Sequence, residues 1–327
     1  MAVNMIGLDV RGGSKGVKTL DIARAFDKSE RSVERCGTTT LSRLSDDESL
    51  EQLASDSATS SLEQSDISLE NINGIYASVC CPTTQYLMPG LARVVGKSLG
   101  AKNIPMITMS MGCAGGVHAI QTAYNQLRLD EQEGETGSAL VLIGDHISRA
   151  LDKNSWDTAG IFSDGIASVV LSTDKKGKYN LRAVKSMNLD GDIQSMNILN
   201  PSENTADRKA TFRMDGTKVF EFAYKETYPA IMNLLGLTSL PENCYFIPHQ
   251  ASGVVLKYLQ KESKLRPDQI YTDGIGRFGN VTGASILFGL DDVLKRGLAQ
   301  DRDIILGAFG AELAVGAVHL EKNARKV

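Results

Sequence analysis

The chain has 327 residues, 42% apolar and 23% charged, with a formal net charge of −4. That length supports one large domain or two of roughly 160 residues each, with a sizeable buried core. The slight acidity gives no footprint for nucleic acid or an anionic membrane surface, and no run reaches the ~18 apolar residues of a transmembrane helix.

The N-terminus lacks a basic region followed by a long apolar stretch, so it reads as a first strand, Val3–Val10, and not as a signal peptide. Arg11-Gly12-Gly13-Ser14-Lys15-Gly16 is Gly-rich but has neither phosphate-loop nor dinucleotide-loop spacing, and reads as a surface turn. Ser45 with Glu48 three residues on is a capping box, predicting a helix over Asp46–Leu62. A strand (Gly74–Val79), a helix (Leu87–Leu99), a strand (Ile104–Met109), a helix (Gly115–Leu129) and strands Ala139–Ile143 and Ile166–Leu171 follow. The polar stretch Ser172–Lys178 marks a boundary, dividing the chain into halves 1–174 and 175–327. Asn188–Lys209 is aperiodic and rich in Asn, Asp, Ser and Gly, so it is expected to be a long loop with a binding role. One helix (Gly216–Leu235), a strand (Cys244–Ile247), helices Ser252–Ser263 and Gly283–Gly297, and strands Asp303–Phe309 and Leu313–Leu320 complete the pattern. The alternation argues for an α/β protein with a largely buried sheet. Met109–Ile120 and Gly276–Leu287 form a faint repeat that sets Cys113 against Asn280 and suggests a duplicated fold.

The five cysteines, Cys36, Cys80, Cys81, Cys113 and Cys244, match neither a disulfide framework nor zinc spacing. They read as free thiols of a reducing cytoplasm, and no His/Cys/Asp/Glu set has metal-ligand spacing. Cys113 differs from the rest. It lies in Met111-Gly112-Cys113-Ala114-Gly115-Gly116, between a strand and a helix. A thiol at a helix start is favoured as thiolate by unpaired N–H groups and the helix dipole. A small hydrophobe in a tight contact is the competing reading.

Of the four histidines, His118, His146 and His319 read as core or surface residues. His249, in Pro248-His249-Gln250-Ala251, follows a strand at the edge where α/β proteins build sites. Asn280 reads both as a helix N-cap and as a neutral amide donor for an enolate oxygen. The turn at Gly310 and Ala311 would point its amides at a reacting carbonyl beside the amide of Cys113, as an oxyanion hole. Cys, His and Asn are the parts a covalent acyl-thioester mechanism needs.

With these residues, the chain resembles the ketoacyl-ACP synthase III branch of the thiolase-fold condensing enzymes, from about Val3 to Leu320. Gly112-Cys113-Ala114-Gly115 is similar to the family's nucleophile segment. Ile161–Ala167 is similar to its Phe-Gly-Asp-Gly-Ala entry, and Phe212–Phe220 to the opening of a long helix. Pro248–Ala251 and Gly279-Asn280 are similar to its His and Asn segments. The resemblance implies two pseudo-symmetric βαβαβαββ halves in a five-layered α-β-α-β-α core. It also implies a homodimer and a reaction needing no metal or organic cofactor. Cys113 would take an acyl group from an acyl-CoA or acyl carrier protein. His249 and Asn280 would assist decarboxylation of a malonyl thioester, and its carbanion would attack the Cys113 thioester.

Substrate-binding places carried over are Arg35, Met88, Trp156, Phe220 and Ala251, with Met88 at a dimer contact lining the partner's acyl pocket. The chain departs from the family at several of its places. Ser32 and Trp156 stand where a tryptophan and an arginine commonly sandwich the CoA adenine. Glu221 and Val254 replace basic carrier-protein contacts, with Lys257 and Lys261 as partial substitutes, and Glu312 enters the terminal turn. These differences imply a specialised member, in fatty-acid or polyketide-type secondary metabolism. Alternatives are a thiolase-fold acyltransferase moving the acyl group to a hydroxyl or amine, a catalytically silent partner subunit, and a papain-like protease, whose Cys-Gly-Ser-Cys-Trp signature is absent.

Overall fold

The computed structural model describes residues 2–80, 88–152, 154–191, 196–199, 211–310 and 313–323. Strand β1 (Asn4–Gly12) leads to the two-stranded pair β2 (Lys15–Lys18) and β3 (Thr40–Arg43), with α1 (Thr19–Ala25) and α2 (Glu30–Cys36) between them. Then come α3 (Leu50–Ser65), β4 (Ile72–Val79), α4 (Leu91–Leu99), β5 (Met106–Ser110), α5 (Gly115–Gln132), β6 (Ser138–Asp145), α6 (Trp156–Ala159) and β7 (Gly165–Ser172). They are followed by β8 (Tyr179–Asn188), β9 (Met196–Leu199), β10 (Thr211–Met214), α7 (Gly216–Lys225), α8 (Thr227–Leu234), β11 (Cys244–Pro248), α9 (Gly253–Ser263) and α10 (Gly274–Phe278). Helix α11 (Ser285–Arg296) and strands β12 (Asp303–Gly310) and β13 (Ala314–Lys322) close the chain.

Nine strands hydrogen-bond in the order β11-β12-β13-β8-β1-β7-β6-β4-β5. The seam between β1 and β8 is short, pairing only Asn4 with Asn180 and Met5 with Tyr179. Outward from that seam the two wings run alike, β1-β7-β6-β4-β5 and β8-β13-β12-β11. A parallel bridge from Phe246 to Ile270 stands in the place of a fifth strand.

Helices α5 and α11 lie between the wings. Val117, Ile120 and Leu127 of one and Ile286, Leu290 and Val293 of the other pack against Val141 and Val169 on one side and Leu306 and Val318 on the other. Helices α3 and α4 cover one outer face through Leu53, Ala58 and Val95. The opposite outer face is covered by α8 and α9, through Tyr228, Ile231 and Leu259. The result is the five-layered thiolase fold. Each fully buried aliphatic side chain contributes about 1.5–3 kcal/mol, so the doubly covered sheet explains why its strands read as continuous apolar runs.

Three sequence expectations change. The Ser45–Glu48 pair closes a turn one step before the helix: the Glu48 carboxylate accepts the Ser45 amide at 2.9 Å and the Ser14 amide at 3.0 Å, which holds its pKa down to about 2. Helix α3 is capped instead by Ser49, whose hydroxyl accepts the Gln52 amide at 3.1 Å. The single helix expected over Gly216–Leu235 is two, α7 and α8, meeting at Glu226. Pro229 has no N–H for the Lys225 carbonyl, so the ladder breaks there. The expected loop Asn188–Lys209 contributes β9, paired antiparallel with β10 from Met196–Met214 to Leu199–Thr211; 192–195 and 200–210 lie outside the described residues.

Candidate active site

Strand β5 ends at Ser110, and a 3-10 turn over Gly112–Ala114 carries Cys113 directly into α5. On the other wing a 3-10 turn over Thr282–Ala284 leads into α11 in the same way. Gly112 (φ 54°) and Thr282 (φ 47°) open the two turns in the left-handed region. The internal repeat is therefore offset from the sequence expectation: Cys113 corresponds to Gly283, and Asn280 lies three residues earlier. The turns touch through small residues, since a Cβ on Gly116 would come within 2.8 Å of the Gly283 carbonyl oxygen. No side chain fits there, which is why both segments are rich in Gly and Ala.

Cys113, His249 and Asn280 are 1%, 2% and 2% exposed, and all three line one cavity of about 480 Å³. His249 follows β11, its amide donating to the Gly307 carbonyl at 2.7 Å. Its Nδ1 lies 2.5 Å from Ser285 Oγ at the start of α11, and its ring stacks edge-on against Phe309 at 5.1 Å. The neighbouring Gln250 is fully buried and ties β11 to α10: its Nε2 donates to the Pro248 and Tyr271 carbonyls and its Oε1 accepts the Ile275 amide.

Asn280 is locked by its own backbone, which exchanges hydrogen bonds with Ile161 and Ser163 at 2.9 and 2.8 Å. Its Oδ1 accepts the Thr282 amide at 2.9 Å and its Nδ2 donates to the Ala251 carbonyl at 3.2 Å. The amide orientation is thus fixed, and the second N–H of Nδ2 is available to the cavity. The N-cap position of the 3-10 turn is Val281; Asn280 accepts the turn's first amide, that of Thr282, while lining the cavity.

The Cys113 thiol is pulled down to about 5 although it is buried. The chief cause is the Cys80 thiol, 3.9 Å away, with the charge and hydrogen bond of His249 adding to it. The direction matches the expectation for a thiol at a helix start, but the leading cause, the Cys80 contact, joins segments remote in sequence and has no local signature. Cys36 and Cys244, by contrast, are pushed up to about 11 by burial. The Asp145 carboxylate holds Cys80 in place by accepting its amide at 2.9 Å, and also accepts the Thr282 hydroxyl at 2.7 Å. A β-branched residue in the left-handed region is strained, and these bonds fix it.

Gly310 ends β12 against Cys113, where a Cβ would lie 2.8 Å from the Cys113 amide nitrogen. Only glycine permits that approach. Ala311 and Glu312 lie outside the described residues.

Two family descriptions match the chain: "3-Oxoacyl-[acyl-carrier-protein (ACP)] synthase III" over residues 107–189 and its C-terminal counterpart over 241–322, together about half of it. The chain belongs to the 3-oxoacyl-ACP synthase III family. A β-ketoacyl-ACP synthase III of Bacillus anthracis is 28% identical over 324 residues, covering 98% of this chain and 99% of that one. One of Clostridium botulinum is 28% identical over 284 residues, covering 84% and 85%. The Thermus thermophilus synthase III structure superposes with a TM-score of 0.84 at 22% identity over 98% of this chain and 99% of that one. The priming β-ketosynthase of the R1128 polyketide pathway gives 0.84 at 20% identity over 98% and 97%. At these identities the structural likenesses carry the fold.

In this ketosynthase III-like enzyme, Ser32, Arg35, Trp156, Phe220, Val254 and Ala251 all line the cavity that holds Cys113. Met88 does not; it is 91% exposed. His118 turns back to the Ala114 carbonyl at 3.1 Å, and His146 lies 3.8 Å from Asp164, its pKa lowered by burial. Neither lines the cavity. Asp164 is a structural clamp, accepting the amides of Leu44 and Ser148 at 3.0 and 2.8 Å. The residues missed by sequence reasoning are Cys80, Asp145, Thr282 and Ser285. Their roles depend on contacts between segments remote along the chain, and no local pattern marks them.

Proposed function

We propose that the chain catalyses a decarboxylative Claisen condensation through an acyl-Cys113 intermediate. The Cys113 thiolate attacks the carbonyl of an acyl-CoA or acyl-carrier thioester, and the carrier thiolate leaves. A malonyl-type thioester then binds. Its carboxylate departs as CO2, and the electron pair of the broken C–C bond moves onto the thioester oxygen as an enolate. His249 Nε2–H and the Asn280 amide donate to that oxygen. The enolate carbon attacks the Cys113 thioester, the sulfur leaves as thiolate, and a 3-oxoacyl product is released. This sequence needs no metal or organic cofactor.

The observation that carries the reading is the convergence of an ionisable thiol, an imidazole and a fixed carboxamide on one buried cavity. Ser285 supports the role of His249: its Oγ accepts the Gln250 amide at 3.2 Å and lies 2.5 Å from Nδ1, and donation of its hydroxyl proton to Nδ1 would leave the imidazole proton on Nε2. The Cys113 amide, which Gly310 packs against, would donate to the oxyanion of the tetrahedral adducts at the Cys113 carbonyl. Arg35 and Lys28 supply positive charge at the cavity for a thioester carrier, and Trp156 and Phe220 supply apolar surface.

A homodimer fits the exposed features. Strand β5 is the sheet edge with Ile107 44% exposed, and Met88 stands out nearby at 91%. Four unbridged cysteines among the described residues fit a reducing, cytoplasmic setting. No described helix is long and apolar enough to cross a membrane. The departures at Ser32, Trp156, Glu221 and Val254 favour a specialised member of fatty-acid or polyketide-type metabolism. The test is CO2 release from malonyl-CoA and malonyl-ACP after charging with short, medium and branched acyl-CoAs. A strong preference for acetyl-CoA with malonyl-ACP would overturn the specialised assignment, and absence of CO2 would overturn the condensation.

A further inference from the structure

The ends of β11 and β12 remote from His249 and Gly310 carry a second group of chemically active side chains. Cys244 and Asp303 are register partners at the starts of these parallel strands, and His319 pairs with Ile305 across the antiparallel β12–β13 ladder. Residues paired in register, or two apart along a strand, share a face of the sheet. That rule puts all three on the outer face, where Cys244 packs with Phe246 and Ile305. Cys244 Sγ, a carboxylate oxygen of Asp303 and a ring nitrogen of His319 lie within 4.8 Å of one another. Cys244 and His319 are 1% and 9% exposed, and Asp303 is partly exposed.

We propose that Cys244, Asp303 and His319 bind a divalent metal ion of the Zn²⁺ type. A thiolate, an imidazole and a carboxylate form a donor set suited to a borderline-soft ion. Their mutual contacts are weak without one. His319 Nε2 is 3.4 Å from Asp303 Oδ2, longer than the ~2.7–2.9 Å of a charge-assisted bond. Among the described residues, the Cys244 thiol's hydrogen-bond contact is with Asn243 Oδ1, at 3.9 Å. An ion with bonds of about 2.0–2.3 Å would draw the three inward by small side-chain rotations, with water from the Asp303 side as fourth ligand. The second carboxylate oxygen of Asp303 already accepts the Lys322 amide at 2.9 Å, which orients the group. Nearby cations are paired: Arg182 with Glu321 at 3.1 Å, and Lys322 with Asp301. Binding would join three strands at the foot of the sheet, so its effect is structural. Metal-ligand spacing along the chain cannot reveal this set, because each donor comes from a different strand.

The test uses full-length Cys113→Ala protein, so that the active-site thiol does not compete. Calorimetric titration with Zn²⁺ is expected to show one ion per chain, and Co²⁺ to produce a sulfur-to-metal charge-transfer band. Cys244→Ser should abolish the band and weaken Zn²⁺ binding about tenfold or more, and His319→Ala should weaken it likewise. Zn²⁺ should raise the melting temperature of Cys113→Ala protein, a readout that needs no further substitution. In the unaltered Cys113 background, Cys244→Ser should leave acylation of Cys113 intact. The proposal is overturned by absence of stoichiometric binding, by a band present in wild type but missing in Cys113→Ala, or by binding that Cys244→Ser leaves unchanged.

Discussion

The sulfurs of Cys80 and Cys113 lie 3.9 Å apart, both buried, with Cys80 anchored through its backbone amide to Asp145. The second thiol stabilises the nucleophile as thiolate, and a pH profile reads that directly. In wild type the Cys113 pKa is about 5, so kcat/KM for acylation should rise with pH through that value and be flat above it. Cys80→Ala removes the largest stabilising contact. A hydrogen bond to a charged group contributes roughly 1.5–3 kcal/mol, and a thiol donor sits at the weak end, so the acid limb should move up by about one pH unit. An unmoved limb would show that the helix start and His249 suffice.

The proposed condensation assigns His249 and Asn280 to the second half of the reaction. Asn280→Ala should lower CO2 release by about 10²–10³-fold, as expected for loss of one preorganised donor to an anion. Charging of Cys113 by acyl-CoA should change far less. Rapid-quench acylation and CO2 release, measured on the same preparation, separate the two steps. Equal loss of both would contradict the assignment.

Ser285→Ala should reduce condensation about tenfold by releasing the His249 tautomer, while Ser285→Thr, which keeps the hydroxyl, should recover part of it. Nitrogen NMR of His249 checks the cause: the proton should shift from Nε2 toward a mixture of tautomers. An unchanged tautomer in Ser285→Ala would remove Ser285 from the mechanism.

Asp145→Ala should destabilise the fold by about 3 kcal/mol, because it leaves the buried Cys80 amide and Thr282 hydroxyl without their acceptor. Denaturant unfolding measures this. A change below about 0.5 kcal/mol, the level of an unspecialised surface substitution, would contradict the clamp.

Gly310→Ala is expected to cost both stability and acylation, since its Cβ would meet the Cys113 amide nitrogen at 2.8 Å. The shift moves the nucleophile's own amide, so kcat should fall more than KM changes. Wild-type kinetics in Gly310→Ala would show that the two segments can separate freely.

The elements that sequence pattern reveals are those whose environment is uniform along the segment. β4, β6, β7 and β12 are covered on both faces and read as apolar runs. Gly112-Cys113-Ala114 and Pro248-His249-Gln250 stand out in the sequence because small residues and a strand edge mark them locally, and Cys113 and His249 line one cavity. The start of α3 lies later than the sequence predicts because Ser45–Glu48 and Ser49 are overlapping caps, and only tertiary packing chooses between them. The break between α7 and α8 leaves no mark in the apolar pattern, because the period continues through Pro229. Cys80, Asp145, Thr282 and Ser285 stayed hidden for another reason. Each acts through a single contact to a segment distant in sequence, and such contacts leave no periodicity to read.

The most direct measurement is the intact mass of the protein after incubation with a panel of acyl thioesters, followed by a malonyl thioester. An acyl adduct is expected that maps to Cys113, is absent from Cys113→Ala, and is discharged with stoichiometric CO2 when the malonyl thioester is added. An adduct that persists in Cys113→Ala, or a discharge to product without CO2, would contradict the condensation through acyl-Cys113.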